Sequence, residues 1–411
     1  MSERGWCLEI GLTAAVVLGV VFFGATYPWA ASALYALLFL MCSIYPAAIL
    51  TYSGLPRFFR VGMLLVFLLI LLQLLAFSSN RYQTAEEFLK WLALASAFFL
   101  TQLFSPPQKR RFLHILIILG VWEIAYGMIQ IASGSEMILW RTKEVYRGFL
   151  TGTFIYRNHL AGLLEICAAL QLGFFAEALR RKNFKNSIFC GAIFGLILAG
   201  LFKTGSRMGA VSFFTALLLL SPFFLRKLPG MLKLVMIGLT GILAAGAAWT
   251  VRAVLFSRFS DLKEDLLIGE GRWLVWQDTL RMFLDHAWTG IGLGGFKWSY
   301  PQYQSGQLMM GWAHAHNDYL ELLAELGLPA FLALAGVFLA LWLLLLKKLW
   351  RSHSKHSFEF CGILLAVTSF AIHGIADFSW ALFANNLVVV ILLGFSVSFL
   401  RPSSTSGGDP L

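Results

Sequence analysis

Residues 311–327 read GWAHAHNDYLELLAELG, where His314, His316, Asn317 and Asp318 set two imidazoles, an amide and a carboxylate inside five positions. An imidazole that is neutral near pH 7 is suited to take a proton from a hydroxyl. Asp318 is placed to cap the apolar helix that follows, with Glu321 as its capping-box partner. That leaves His314, His316 and Asn317 just ahead of the first turn. Two other readings compete. One histidine could serve only a backbone carbonyl, or the HxH pair could hold a metal. Zn²⁺ takes three or four ligands, however, and neither His286 nor the nearby carboxylates offer metal spacing. Metal binding is the weaker reading.

Four further segments carry groups of interest. In FKTGSRMGA (202–210), Lys203 and Arg207 stand between two apolar runs. Arg207 either snorkels to the interface or aims its guanidinium at phosphate, which it can grip through two parallel hydrogen bonds. EGRWLVW (270–276) places Arg272 at the start of an amphipathic run. GTFIYRNHLAGLLE (152–165) has Arg157, Asn158 and His159 at the start of a span and Glu165 about two turns inside it. An acid inside a membrane marks a site or pairs with a neighbouring helix. IHGIADFSW (372–380) puts His373 and Asp377 at i, i+4 near the end of a span. GIGLGG (290–295) matches GxGxxG by letter, but a dinucleotide site needs that motif between a strand and a helix of a parallel sheet. We read it as a tight loop that lets backbones approach closely. GxSxG, HExxH and Walker A motifs are missing.

The elements that must position these groups are membrane helices. Of 411 residues, 59% are hydrophobic and 13% charged, about half the charge of a soluble domain. A span needs about 20 apolar residues to cross about 30 Å of hydrocarbon. Twelve runs qualify: 9–25, 28–50, 61–78, 87–104, 111–131, 158–177, 187–202, 208–225, 231–250, 318–346, 358–376 and 381–400. Basic clusters at 109–111, 180–185, 226–227 and 347–355 fall on one side, so the net charge of +11 is a topology signal with both termini in the cytoplasm. Nucleic-acid binding is not implied. The five cysteines lie in or beside apolar runs without metal spacing and read as packing residues. The expected fold is an all-α polytopic membrane protein with about 12 transmembrane helices. Its parts are 1–150 (N-terminal helices and first outer loop), 151–250 (central helices), 251–317 (a large outer loop), 318–400 (C-terminal helices) and 401–411 (a disordered tail). Within the large loop, RWLVWQDTLRMFLDH (272–286) sets Trp273, Trp276, Leu280 and Phe283 at helical spacing, as for an amphipathic helix on the outer membrane face or one packed on the bundle.

Taken in order, GTFIYRNHLAGLLE, TGSR, RWxxW, GIGLGGF and HAHNDYLELLAELGLPA resemble the O-antigen ligase and polymerase family of bacterial envelope proteins, in the glycosyltransferase C superfamily. The likeness covers mainly residues 150–345. It implies a multi-pass inner-membrane enzyme whose site faces the periplasm and which uses neither metal nor nucleotide cofactor. Its donor would be an undecaprenyl-diphosphate-linked glycan and its acceptor lipid A-core or a growing glycan. Residue by residue, His316 matches the family's essential histidine, with His314 beside it, and Arg207 and Arg272 match the arginines that hold the diphosphate. Arg157, Asn158 and His159 match an upstream segment, with Lys203 and Asn317 in support. The implied reaction is an inverting displacement. A polymerase, or a protein-directed oligosaccharyltransferase, would differ only in acceptor. A transporter or flippase of polysaccharide or lipid would suit twelve spans and Glu165 or Asp377, but it predicts two related halves, and no half-repeat is visible.

Overall fold

In hydrocarbon every backbone N–H and C=O must be satisfied within its own segment, which drives long apolar runs into helices. The computed structural model describes residues 3–50, 54–228, 271–306, 311–351 and 357–400, with positions 230, 233, 238, 241 and 308. Among the described residues eight long helices come first: α1 (Glu3–Val21), α2 (Pro28–Ile44), α3 (Arg57–Leu72), α4 (Arg81–Thr101), α5 (Pro106–Ser133), α6 (Arg157–Arg180), α7 (Phe184–Lys203) and α8 (Arg207–Lys227). Then follow α9 (Arg272–Asp285), α10 (Asp318–Arg351), α11 (Ser357–His373) and α12 (Phe383–Ser398). Among the described residues, six helical segments are long and apolar enough to cross a membrane: α3 with its continuation to Phe77, then α5, α6, α7, α8 and α10. α1, α2, α11 and α12 have shorter apolar cores, and α4 carries Glu86, Glu87 and Lys90. The all-helical, multi-pass class therefore holds, while a count of twelve depends on the shorter helices. The run expected at 231–250, the loop up to 270 and the tail 401–411 lie outside the described residues.

α6 is the hub. Within its apolar window, 94% of residues are buried, against 22% for α3 and 28% for α10. It packs on α11, α7 and α8, whereas α4 packs on α2 and α12. Among the described residues the one sheet is the hairpin Met137–Ile138 with Arg141–Thr142. GIGLGG thus has no parallel sheet to serve. Instead, Gly290, Gly292 and Gly294 adopt φ of +67°, +99° and +74°, and the loop docks on a break in α10. Ile291 N donates to Ala324 O (3.1 Å) and Gly292 N to Glu325 O (3.1 Å), while Leu328 N donates to Ala287 O (2.7 Å). Gly327 opens α10 at φ +71°, ψ +168°, two residues before Pro329. Gln73 Nε2 reaches in from α3's continuation to Glu325 O (2.8 Å).

A methyl group on Gly290 would overlap the Glu325 carbonyl, whereas one on Gly134, at φ +65°, meets nothing within 4 Å. Both alanine substitutions share the left-handed penalty of about 1–2 kcal/mol, and only Gly290→Ala adds a backbone clash. Gly290→Ala should therefore lower the apparent melting temperature in detergent clearly more than Gly134→Ala. Equal shifts would mean that the loop relaxes freely off α10.

Candidate active site

α6 and α8 run parallel from a shared end. A Cβ on Gly205 would stand 3.0 Å from Arg157 Nη1, and one on Gly209 would stand 2.8 Å from the Ala161 methyl. One turn deeper, Ser212 Oγ donates to Glu165 Oε2 (2.6 Å). The small residues let the backbones close, as is usual between membrane helices. Arg157 and Arg207 are the first residues of these two helices, and Arg272 is the first residue of α9. A cation at a helix N-terminus opposes the helix dipole, whereas an anion there is stabilised by about 0.3–1 kcal/mol. Each of the three arginines stands at a helix start, where an anion would meet both the side-chain cation and the helix end.

These arginines differ in freedom. Arg157 lies over the rings of Tyr146 (5.0 Å) and Phe149 (4.5 Å), with Nε buried and without a hydrogen-bond partner among the described residues. Arg272 Nη1 donates to Ala376 O (3.0 Å). Arg207 and Lys203 are exposed. α9 turns Val275, Asp278, Thr279 and Met282 inward and leaves Trp273 and Leu280 exposed, as the outer-face reading of this helix expects. The reason is Asp278, whose Oδ2 accepts from Tyr300 Oη (3.1 Å) and Ser305 N (2.9 Å) and so anchors the polar face to the loop. Trp276 Nε1 donates to Ala315 O (2.9 Å), tying α9 to the histidine segment.

At the start of α10 the capping arrangement differs from expectation. Asn317, not Asp318, is the cap: its Oδ1 accepts from Leu320 N (3.0 Å). Asp318 is buried, its N donating to Gly374 O (2.8 Å) and its Oδ2 accepting from Trp380 N (3.2 Å), because the chain after α11 passes beside it. Glu321 reaches past the cap, contacting His314 Nδ1 (2.8 Å) and accepting from Ala315 N (2.6 Å). His316 is held in the left-handed region at φ +52°, which costs a non-glycine residue of order 1–3 kcal/mol and is commonest at functional sites.

His316 Nδ1 is buried without a hydrogen-bond partner among the described residues and lies 3.9 Å from Asp377 Oδ1, beyond hydrogen-bond reach. Burial first, then the nearby Arg272 charge, lowers the imidazole's pKa from 6.5 to about 4, against the opposing pull of Asp377. The ring is therefore neutral at pH 7. Phe378 gathers the imidazoles: His314 stacks on it (4.8 Å, 9°), and His316 (4.7 Å) and His159 (4.9 Å) meet its ring at steep angles. His159 is buried with neither ring nitrogen paired among the described residues, while Asn158 is only partly buried.

Behind His316 runs a line of acids and imidazole whose members the sequence marks separately but does not join. Asp377 Oδ2 is 3.4 Å from His373 Nε2, and His373 Nδ1 is 3.0 Å from Glu165 Oε1. Glu165 also accepts from Ser212 and from Ser369 Oγ (2.8 Å). Although burial alone would raise it, His373 holds the Asp377 carboxyl well below the usual range. The i, i+4 spacing of His373 and Asp377 and the intramembrane Glu165 were the available signals. Among the described residues no group of three or more His, Cys, Asp or Glu side chains is arranged to hold a metal ion. His159, His314 and His316 line a cavity of about 1500 Å³.

Residues 192–335 match the family model of O-antigen ligase. The matched stretch includes Lys203, Arg207, Arg272, His314, His316 and Asn317, and it leaves Arg157, Asn158, His159, Glu165, His373 and Asp377 outside. No curated protein matches the chain.

Proposed function

We propose that this chain, with an O-antigen ligase segment at residues 192–335, is a membrane glycosyltransferase that moves a glycan from an undecaprenyl-diphosphate carrier to an acceptor hydroxyl, with lipid A-core as that acceptor. His316 carries the reading: a neutral imidazole with an unpartnered nitrogen borders a large cavity beside Arg272. In the proposed step the acceptor oxygen attacks the anomeric carbon as the bond to the diphosphate breaks. His316 takes the hydroxyl proton, and a single displacement inverts the centre. Arg157, Arg207 and Arg272 meet the charge growing on the diphosphate, and Arg272, held by Ala376 O, is a donor that needs little reorganisation. Lys203, the last residue of α7, and Asn158, the second residue of α6, support that anion site. His314, bound to Glu321, and Asn317, the cap, hold the loop that presents His316. The Glu165–His373–Asp377 line orients its surroundings. The site would face the periplasm of a bacterial inner membrane, with both termini in the cytoplasm.

Transport is the poorer fit because Glu165 and Asp377, the acids expected to carry it, are already engaged, Glu165 by Ser212, Ser369 and His373, and Asp377 by His373 at 3.4 Å. Purified protein incubated with a lipid-linked glycan, with and without lipid A-core and in the presence of chelator, tests the reading. Glycan should appear on lipid A-core at a rate the chelator does not change. Lengthened glycan on the carrier alone would reassign the protein as a polymerase, and chelator-sensitive transfer would reject the metal-independent mechanism. No product in either arm would discard the enzyme reading.

A further inference from the structure

The first half of α4 carries a polar stripe. Gln83, Glu86, Glu87 and Lys90 recur at i, i+3, i+4 and i+7, which is a single helix face. All four line the same cavity as His314 and His316. Polar groups within a membrane helix are expensive and turn toward a cavity when they work there. Lys90 is already satisfied: its Nζ lies 3.1 Å from Glu87 and donates to the carbonyls of Trp380 (3.3 Å) and Ala381 (3.2 Å). Glu86 has no cationic partner among the described residues and receives only a long bond from Gln83 Nε2 (3.4 Å). On the same wall Asn386, 6% exposed, spends its amide N–H on Trp380 O while its Oδ1 is buried without a partner among the described residues. Trp298 stands at the rim, its Nε1 3.4 Å from Gln83 Oε1 and its ring 55% exposed.

Among the described residues no arginine lines this cavity: Arg157, Arg207 and Arg272 begin α6, α8 and α9, whereas α4 packs on α2 and α12. A diphosphate would be repelled by an unneutralised Glu86. Sugar hydroxyls, being donors, suit a carboxylate and an amide oxygen that can only accept. We infer that the α4 wall is the acceptor subsite, where Glu86, Gln83 and Asn386 hold the hydroxyls of an incoming saccharide against the face of Trp298. The inference rests on the glycosyl-transfer reading above and gives the acceptor its own wall of the cavity that His316 also borders.

Direct binding tests it without relying on turnover. Wild type, Glu86→Ala and Trp298→Ala, in detergent, are titrated with three probes: lipid A-core, a free repeat-unit oligosaccharide, and undecaprenyl diphosphate bearing no sugar. The expected result is about a tenfold or larger loss for whichever saccharide the wild type binds, as for a lost bond to a charged group. Undecaprenyl diphosphate binding should stay within about twofold, which also shows that the variants are folded. The saccharide that responds identifies the acceptor as lipid A-core or growing glycan. Unchanged saccharide binding, no saccharide binding by wild type, or a larger loss for undecaprenyl diphosphate would each overturn the assignment, the last by giving the wall to the donor. His316→Ala separates the two ideas: if it keeps transfer activity, the base assignment fails while the binding results still stand.

Discussion

Replacing His316 with alanine is expected to lower glycan transfer by about 10²–10⁴-fold, the range typical of a lost general base. Binding of undecaprenyl diphosphate should survive, since the proposed anion contacts are arginines. His314→Ala should cost less, because that ring is committed to Glu321 and to stacking on Phe378. The pH profile supplies an independent check. With the His316 pKa lowered to about 4, the imidazole stays neutral as pH falls through 6.5 and is lost as a base only near pH 4. The acid limb of kcat/KM, which reports the free enzyme, should lie there. Part of the depression comes from Arg272. A diphosphate paired with Arg272 cancels that charge, so donor binding should strengthen the base and place the acid limb of kcat at higher pH than that of kcat/KM. Transfer by His316→Ala at near wild-type rate, in protein that still binds the carrier, would remove the imidazole from the chemistry.

Much of this site was legible because its groups break the surrounding pattern. Arg207, Arg272 and the HAHND stretch are polar intrusions at the edges of apolar runs, and their order along the chain carried the family resemblance that the match over 192–335 supports. The glycine loop was legible too, since GxGxxG without room for a parallel sheet leaves close backbone approach as its use. Partner choice was not legible. Asp318 and Asn317 are both good caps, and only the chain after α11, folding back onto Asp318, decides that Asn317 takes the role. Which face of α9 turns inward was left open for a related reason: hydrophobic spacing groups Trp273, Trp276, Leu280 and Phe283, while Asp278 finds its partners in Tyr300 and Ser305, more than twenty residues on. Glu165, His373 and Asp377 come from separate helices and a loop, so their alignment depends on the packing of α6 against α8 and α11. No local pattern encodes it.

Arg272→Lys is expected to cost about 10²-fold in kcat/KM, the scale of one lost transition-state donor. The guanidinium already gives Nη1 to Ala376 O, and its remaining donors keep a fixed fork for a second acceptor. An ammonium is a point charge on a flexible stem and cannot hold both at once. Arg207→Lys should fall less, because that side chain is exposed and among the described residues no carbonyl fixes its geometry. Charge and geometry are then separable at position 272. Lysine preserves the cation that depresses His316, so the acid limb of kcat/KM should stay near pH 4 although the rate drops. Arg272→Ala removes the cation as well, so the His316 pKa should rise toward 6.5 and the acid limb should move up with it. A limb that stays in place in Arg272→Ala would mean that burial alone sets the imidazole's pKa. The proposed coupling between donor binding and base strength would then be lost, even if the rate deficit remained.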